Sequence, residues 1–169
     1  MNNYEKKVRI KICSDKFDNS DMFFSDSSKL EDESVSDKTR CEHFEFVTEG
    51  TLSSLDGRIS LNYNDSELFE GESTGVALTF DEAAPGLVTM LRSGSVSTAM
   101  VFEAGQRHIS VYKTPYMPFE LCIRTRKVVN QLLSQGTLEI DYFIEVHGVR
   151  TERTKMKISV SEIKNVCNS

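Results

Sequence analysis

Alternation of apolar and polar residues within short segments is the feature that most constrains the fold of this chain. A segment with an apolar side chain at every second position is typical of a strand that has one buried and one solvated face. The alternation runs from about Tyr4 to Val160, and no long helical pattern competes with it. The clearest segments are Val8-Ile10-Ile12, Ile59-Leu61-Tyr63, Val96-Thr98-Met100-Phe102 and Leu138-Ile140-Tyr142-Ile144-Val146.

Turn signals separate these segments at short intervals. Asp56-Gly57 is the strongest of them, because an Asp-Gly pair between alternating segments favours a tight hairpin. The pattern predicts an all-β fold of about 8–10 antiparallel strands joined by short loops. A meander with one apolar face hides its edges most simply by closing, so we predict a single up-and-down β-barrel. Two stacked sheets are the alternative.

Two segments depart from the alternation. Residues 14–40 are rich in Asp, Glu and Ser, and they carry too little apolar surface to offset their ordering entropy. We expect them to form an acidic, Ser-rich mobile insertion within one domain that spans residues 1–169. The stretch from Val128 to Gln135 fits a helical turn or an extended segment, and the β-branched pair Val128-Val129 followed by Gly136 favours the extended form.

Composition excludes several classes of protein. A chain of 169 residues with 38% apolar and 27% charged content is expected to form one globular domain. Its net charge of −6 disfavours broad contact with nucleic acid or anionic membrane. No apolar run approaches the ~20 residues of a membrane span, and the N-terminus lacks the apolar core of a signal peptide, so we expect a cytoplasmic protein.

Cysteine and histidine spacing offers no metal site. The four cysteines show no CxxC pattern and are expected to be reduced thiols. The three histidines are not paired with them at ligand spacing, so no metal or other cofactor is expected. His108 has no readable nucleophile or orienting group beside it, and phosphate loops, HExxH and GxSxG are absent. An enzyme is therefore the least favoured class, and His108 is expected to be exposed.

Polar residues that share the apolar parity of their strand are the candidate site residues. Arg92 continues the face that begins with Val88 and Met90. A buried guanidinium needs partners, and its planar fork suits a carboxylate or phosphate. Arg92 therefore either closes a barrel mouth as a strand-end residue or contacts a ligand. By parity, the residues expected inside the barrel are Tyr63, Arg92, Thr125 and Tyr142, with Arg107 at a rim beside Ile109 and Val111.

One discontinuous set of residues is more specific than the alternation. It includes Gly57-Arg58-Ile59-Ser60-Leu61, Met100-Val101-Phe102-Glu103-Ala104-Gly105, Tyr112-Lys113-Thr114-Pro115-Tyr116 and Gly136-Thr137-Leu138-Glu139-Ile140. This pattern resembles the DUF1934, or YwiB-like, family of small bacterial proteins, from about Phe44 to Val160. The resemblance implies a calycin- or lipocalin-like β-barrel. It implies no settled activity, so it supplies no catalytic residues.

The function that these observations favour is non-enzymatic binding of a small anionic or amphipathic molecule. Arg92 would contact its charge and Tyr63, Tyr142 and Thr125 would orient it, with Arg107 nearby. The alternative is a structural or interaction module with a filled barrel, which would form a homodimer or bind another protein. No nucleic acid or membrane partner is expected. The apolar part of a ligand would be lined by Ile59, Leu61, Met90, Met100, Phe102, Ile123 and Ile140.

Overall fold

The computed structural model describes residues 2–18, 41–65, 74–94, 97–146 and 149–164. Within these ranges it contains ten strands and one short helix. No helix among them is long and apolar enough to cross a membrane. In chain order the elements are β1 (Tyr4–Asp18), β2 (Cys41–Leu55), β3 (Arg58–Asn64), β4 (Gly75–Asp81), β5 (Ala84–Ser93), β6 (Ser97–Glu103), β7 (Arg107–Lys113), β8 (Pro118–Gln131), α1 (Leu132–Gln135), β9 (Thr137–Val146) and β10 (Val149–Glu162).

The ten strands form one closed antiparallel barrel. Each strand pairs with its neighbours along the chain, and β1 closes the circle by pairing with both β2 and β10. The closing ladder runs from Val8 opposite Glu162 to Asp18 opposite Glu152. The predicted all-β, up-and-down barrel is confirmed, with a strand number at the upper limit of the expected range.

The β2–β3 hairpin shows how local sequence sets the register. Asp56 and Gly57 both have positive φ, at 51° and 83°, as a two-residue type I′ turn requires. Leu55 and Arg58 are therefore directly opposite each other. This register places Ile59 and Leu61 inside the barrel, where both are fully buried.

Apolar side chains fill most of the barrel interior. The inward residues of nearly every strand form one packed cluster, and Leu132 of α1 joins it between β8 and β9. Phe102, Met90 and Ile140 are at most 1% exposed. The apolar side chains that were expected to line a ligand all belong to this cluster, so that part of the barrel is occupied by the protein itself. Its fully buried members include Val8, Ile10, Ile59, Leu61, Leu78, Val88, Met90, Phe102, Ile123, Leu138, Ile140 and Ile158.

Strand β7 faces the opposite way from the prediction. Ile109 is 74% exposed and Val111 is 44% exposed, whereas Ser110 is buried. Alternation identifies two faces of a strand but does not say which one faces the core. In β7 the more polar face, which carries His108, is turned inward. The expectation that Arg107 shares an interior face with Ile109 and Val111 is therefore wrong.

A weak ladder between β6 and β7 accompanies this reversal. The two strands are in register only at Ser97 opposite Lys113 and Thr98 opposite Tyr112. Beyond these pairs the Ser110 hydroxyl donates a hydrogen bond to the carbonyl of Ala99 and lies 3.1 Å from the Thr98 hydroxyl. The buried Ser110 therefore links the two strands on the inner face, beyond the last pair of the backbone ladder.

Two further boundaries differ from the sequence expectations. Strand β1 continues to Asp18, so Ser14–Asp18 belong to the barrel and not to an insertion; residues 19–40 lie outside the described residues. The stretch from Val128 is extended as far as Gln131, as favoured above, but Leu132–Gln135 form a helix. Gly136 ends this helix with φ of 73° and donates its N–H to the Leu132 carbonyl, while the Leu132 side chain is buried.

Gly136 and Gly105 provide a matched test of the packing at the end of α1. Both have positive φ, but a Cβ on Gly136 would lie 2.5 Å from the Val160 carbonyl oxygen, whereas one on Gly105 would meet nothing within 4 Å. Replacing Gly105 by Ala is expected to cost about 1 kcal/mol of unfolding free energy from backbone strain alone. Gly136→Ala should cost at least about twice as much, because the backbone of β10 must also move. Urea denaturation measures both, and equal losses would contradict the packing argument.

Candidate functional site

Polar side chains gather at one end of the barrel interior. Odd-numbered strands of a meander run in the same direction, so β3, β5 and β9 all terminate at this end. Tyr63, Arg92 and Tyr142 lie on the inner faces of these three strands, and Asp65 immediately follows β3. Each of the four groups interacts electrostatically with at least one of the others. We call this region the polar end; it comprises Tyr63, Asp65, Arg92, Tyr142, Glu152 and Thr154.

Arg92 and Asp65 form an ion pair without a hydrogen bond between them. Nη1 of Arg92 lies 4.0 Å from Oδ2 of Asp65, which is too long for a hydrogen bond. The Asp65 side chain is 4% exposed, whereas that of Arg92 is 29% exposed and reaches solvent. The Asp65 N–H donates a 2.8 Å bond to the Thr74 carbonyl, which fixes the chain directly after β3.

Three buried polar atoms have no hydrogen-bond partner in the part of the chain that the structure describes. They are Oδ1 of Asp65, Nε of Arg92 and Oγ1 of Thr125. Leaving such a group unsatisfied costs about 1–3 kcal/mol, so each needs an explanation. Together they offer an acceptor, a donor and a hydroxyl that can serve as either.

Burial controls the protonation of this region. It raises the pKa of Asp65, and the positive charge of Arg92 only partly opposes the shift. Burial also raises the pKa of Tyr63, although the positive charge of Arg92 partly opposes the shift. Burial raises the pKa of Tyr142 as well, and a hydrogen bond with Thr154 and the charge of Arg92 partly oppose it. Both phenols therefore remain protonated at neutral pH and can donate a hydrogen bond.

Aromatic contacts hold the two phenols in place. The Tyr142 ring lies 4.8 Å from that of Phe102, and the Tyr63 ring lies 6.5 Å from that of Phe46, both between centroids in tilted arrangements. Such pairs favour a defined ring orientation. Next to Tyr142, the buried Thr154 donates a 3.2 Å hydrogen bond to Glu152.

The structure brings most of the predicted site residues together. Tyr63, Arg92 and Tyr142 share the polar end, and Thr125 is the register partner of Tyr142 on β8. Arg107 does not join them: its side chain is 59% exposed and pairs with the buried carboxylate of Glu145. This is the consequence of the reversed face of β7 described above.

Asp65 is one of three residues of the polar end that the parity argument missed. It follows Ile59, Leu61 and Tyr63 at the same two-residue spacing. Extending the inward face of β3 by one step would have found it. Glu152 and Thr154 share the inner face of β10 with Met156 in the same way.

Among the residues that the structure describes, polar groups outside the polar end form no comparable site. His108 is 34% exposed, less than expected, and its Nε2 lies 3.4 Å from Glu103. Arg124, Arg126 and Lys127 are exposed on β8. Within the described ranges, no group of three His, Cys, Asp or Glu side chains is placed to hold a metal ion.

Three surface clefts do not include the Arg92–Asp65 pair. The largest of them, about 670 Å³, crosses β1 to β5. Its lining includes Lys7, Glu49 and Asn62, and also Tyr63 of the polar end. The other two measure about 330 and 400 Å³. Neither Asp65 nor Arg92 lines any of the three, so the atoms without partners lie apart from these clefts, although Tyr63 borders the largest one.

The raised pKa of Asp65 predicts a pH-dependent cost. The pKa of the Asp65 carboxyl is higher in the folded state than its ordinary value of 3.8. Such a group contributes to stability at a pH below 3.8, where it is protonated, and this contribution is lost as the pH rises through the pKa of the folded state. The melting temperature of Asp65→Asn relative to the unmodified protein should therefore increase between about pH 4 and pH 7. Thermal melts across this range measure the difference, and a constant or falling difference would contradict the argument.

Asp141→Asn is the matched control, with the opposite sign. Burial raises the pKa of Asp141, but hydrogen bonds of 3.0 and 2.7 Å from Arg153 and the charges of Arg153, Arg126 and Lys155 outweigh it, so the pKa is lowered. Stability from this pair is present above the unfolded pKa and is lost as pH falls through the folded one. The advantage of the unmodified protein over Asp141→Asn should therefore shrink on acidification.

Comparison with known proteins identifies the family. A family model described as a domain of unknown function (DUF1934) matches residues 29–158. The crystal structure of the YwiB protein from Bacillus subtilis has a TM-score of 0.72 with this chain at 20% identity, covering 95% of this chain and 94% of that one. At that identity the likeness shows a shared fold. No curated protein matches the chain significantly. Because the family match spans well over half of the sequence, the chain belongs to the DUF1934 family.

Proposed function

We propose that this protein is a non-enzymatic binding protein whose polar end holds a small molecule through Arg92. The observation that carries the proposal is the pair of buried, unpartnered atoms, Nε of Arg92 and Oδ1 of Asp65, within the described part of the chain. An arginine that only closed the barrel mouth would be expected to bond its neighbours. This one leaves a donor unused, while part of its side chain reaches solvent.

Chemistry at the polar end suits binding. A planar guanidinium holds carboxylate or phosphate oxygens with two parallel hydrogen bonds. A ligand that accepts from Nε would recover the cost of the unsatisfied donor, about 1–3 kcal/mol. The phenols of Tyr63 and Tyr142 and the Thr125 hydroxyl can orient it, because each can donate or accept.

Packing restricts where a ligand can lie. The core cluster fills most of the barrel interior with apolar side chains, so the ligand occupies the polar end. Its charged part contacts Arg92, and any apolar part packs against the aromatic rings of Tyr63 and Phe46. This arrangement suits a small, anionic or amphipathic molecule.

Binding is favoured over catalysis by the kinds of group present. Among the described residues of the polar end, two are phenols whose pKa is raised, and a raised pKa opposes the formation of a phenolate nucleophile. Arg92 and Asp65 are suited to holding charge. None of these groups combines a nucleophile with an adjacent base.

Replacing Arg92 by Met tests the proposal directly. Native mass spectrometry of the protein purified from its own cells should show a retained small molecule, and Arg92→Met should lose it. Arg124→Met is the matched control, because Arg124 is exposed on the outer face of β8, and this variant should retain the molecule. If Arg92→Met retains as much of the molecule as the unmodified protein, Arg92 is not part of the site. The binding function is rejected if no molecule is retained and if carboxylate and phosphate compounds do not change the melting temperature.

A second candidate, self-association, is favoured by a different observation. Leu87, Leu91, Ile109 and Val111 expose between 43% and 74% of their surface on the outer faces of β5 and β7. Clustered exposed apolar side chains are typical of protein interfaces. Here the partner would be a second copy of the chain, packed against these two strands across β6.

Light scattering over a range of protein concentrations tests the second candidate. The unmodified protein should form a dimer, and Ile109→Asp should be monomeric because it places a charge in the interface. Leu55→Asp, at an exposed position beside the β2–β3 turn, should leave the dimer intact. A monomer at every concentration would reject this candidate without affecting the binding proposal.

A further inference from the structure

We infer that the ligand of the polar end is an amino-carboxylate zwitterion, with its carboxylate on Arg92 and its ammonium group on Asp65. This inference rests on the function proposed above and narrows the class of ligand. The carboxylate accepts a hydrogen bond from Nε of Arg92, and the ammonium group donates one to Oδ1 of Asp65.

The charges of the polar end argue against a simple anion. Its described members include one guanidinium, Arg92, and two acidic groups, Asp65 and Glu152. A phosphate or carboxylate bound by Arg92 would therefore lie beside one or two negative charges, which oppose it. A ligand with no net charge, carrying both signs, meets a complementary group for each.

A second Arg–Asp pair in the same molecule shows what a closed pair looks like. Arg153 donates to both oxygens of Asp141, at 3.0 and 2.7 Å, on the outside of β9 and β10. That is the two-pronged geometry that stabilises a pair most. Arg92 and Asp65 are instead 4.0 Å apart, and each leaves a buried atom without a partner. Their arrangement leaves one acceptor and one donor available to a third group.

Spacing selects the class of zwitterion. Because Nη1 of Arg92 and Oδ2 of Asp65 are 4.0 Å apart, the two charged side chains are neighbours, and a ligand that contacts both is expected to carry its own two charged groups near each other. An α-amino group and an α-carboxylate share one carbon atom and satisfy this condition. A molecule with widely separated charges matches this pair less well.

Burial supplies a reason for the ammonium group. Asp65 is almost completely buried, and a buried carboxylate is costly unless it is paired and hydrogen-bonded. The charge of Arg92 compensates only one side of it. A bound ammonium group would donate a hydrogen bond to Oδ1 and compensate the negative charge on the other side of the carboxylate. Each charged group of the ligand would then pair with one of the two residues.

Thermal melts and calorimetric titration with the full chain test this inference. The probes are the standard amino acids and, for each one that stabilises the protein, the matching acid without the amino group and the matching amine without the carboxylate. We expect at least one amino acid to bind more tightly than either analogue by about tenfold or more. If the acid without the amino group binds as tightly, or if no amino acid binds, the inference is overturned.

Substitution at the two residues separates their roles. Asp65→Asn should weaken the amino acid by about tenfold or more and leave the acid without the amino group unchanged or tighter, because a competing negative charge is removed. Arg92→Met should weaken both. An Asp65→Asn protein that keeps the original preference overturns the inference. If this variant does not fold, the comparison of analogues on the unmodified protein decides the question.

The failure of this inference can be distinguished from failure of the proposed function. If the protein retains a molecule that depends on Arg92 but shows no preference for amino acids, the binding function is supported and the zwitterion is rejected. Loss of both removes the site.

Discussion

Closure of the sheet by β1 is the constraint on which the rest of the structure depends. An open sheet of this length would expose two rows of unpaired backbone groups, which could pair with another chain and promote aggregation. By pairing with β10 on one side and β2 on the other, β1 satisfies both rows. Its inward side chains Val8, Ile10 and Ile12 are at most 4% exposed. The same strand therefore joins the edges and contributes to the core.

The closed wall divides its interior between two kinds of side chain. Apolar side chains pack most of it, with α1 inserted between β8 and β9. The polar end remains, where an arginine and an aspartate face each other without closing a hydrogen bond. The packed cluster and the proposed binding site thus occupy different parts of one barrel, so that the polar groups do not interrupt the packed cluster.

Alternation in the sequence predicts the strands because each strand has one buried face, and the Asp56-Gly57 hairpin follows from turn chemistry. Parity also places Tyr63, Arg92 and Tyr142 inside. The same argument fails for β7, because parity does not say which face is inward, and Ile109 and Val111 are outside. Asp65 was missed because it lies one residue beyond β3, and the helix at Leu132–Gln135 is too short for periodicity to reveal. Pairing distances, such as the separation of Arg92 from Asp65, follow from the closure of the whole barrel and cannot be read from one strand.

The junction between β6 and β7 has a different dependence on sequence from the other junctions of the wall. A backbone ladder forms between almost any two strands, because every residue except proline supplies the same donor and acceptor. Here the ladder between the described residues has two pairs, and beyond them the connection passes through the Ser110 hydroxyl to Ala99 and Thr98. At this junction one side chain forms the hydrogen bond between strands that backbone peptide groups form elsewhere. Variation among relatives should therefore be tolerated along most of the wall and restricted at Ser110.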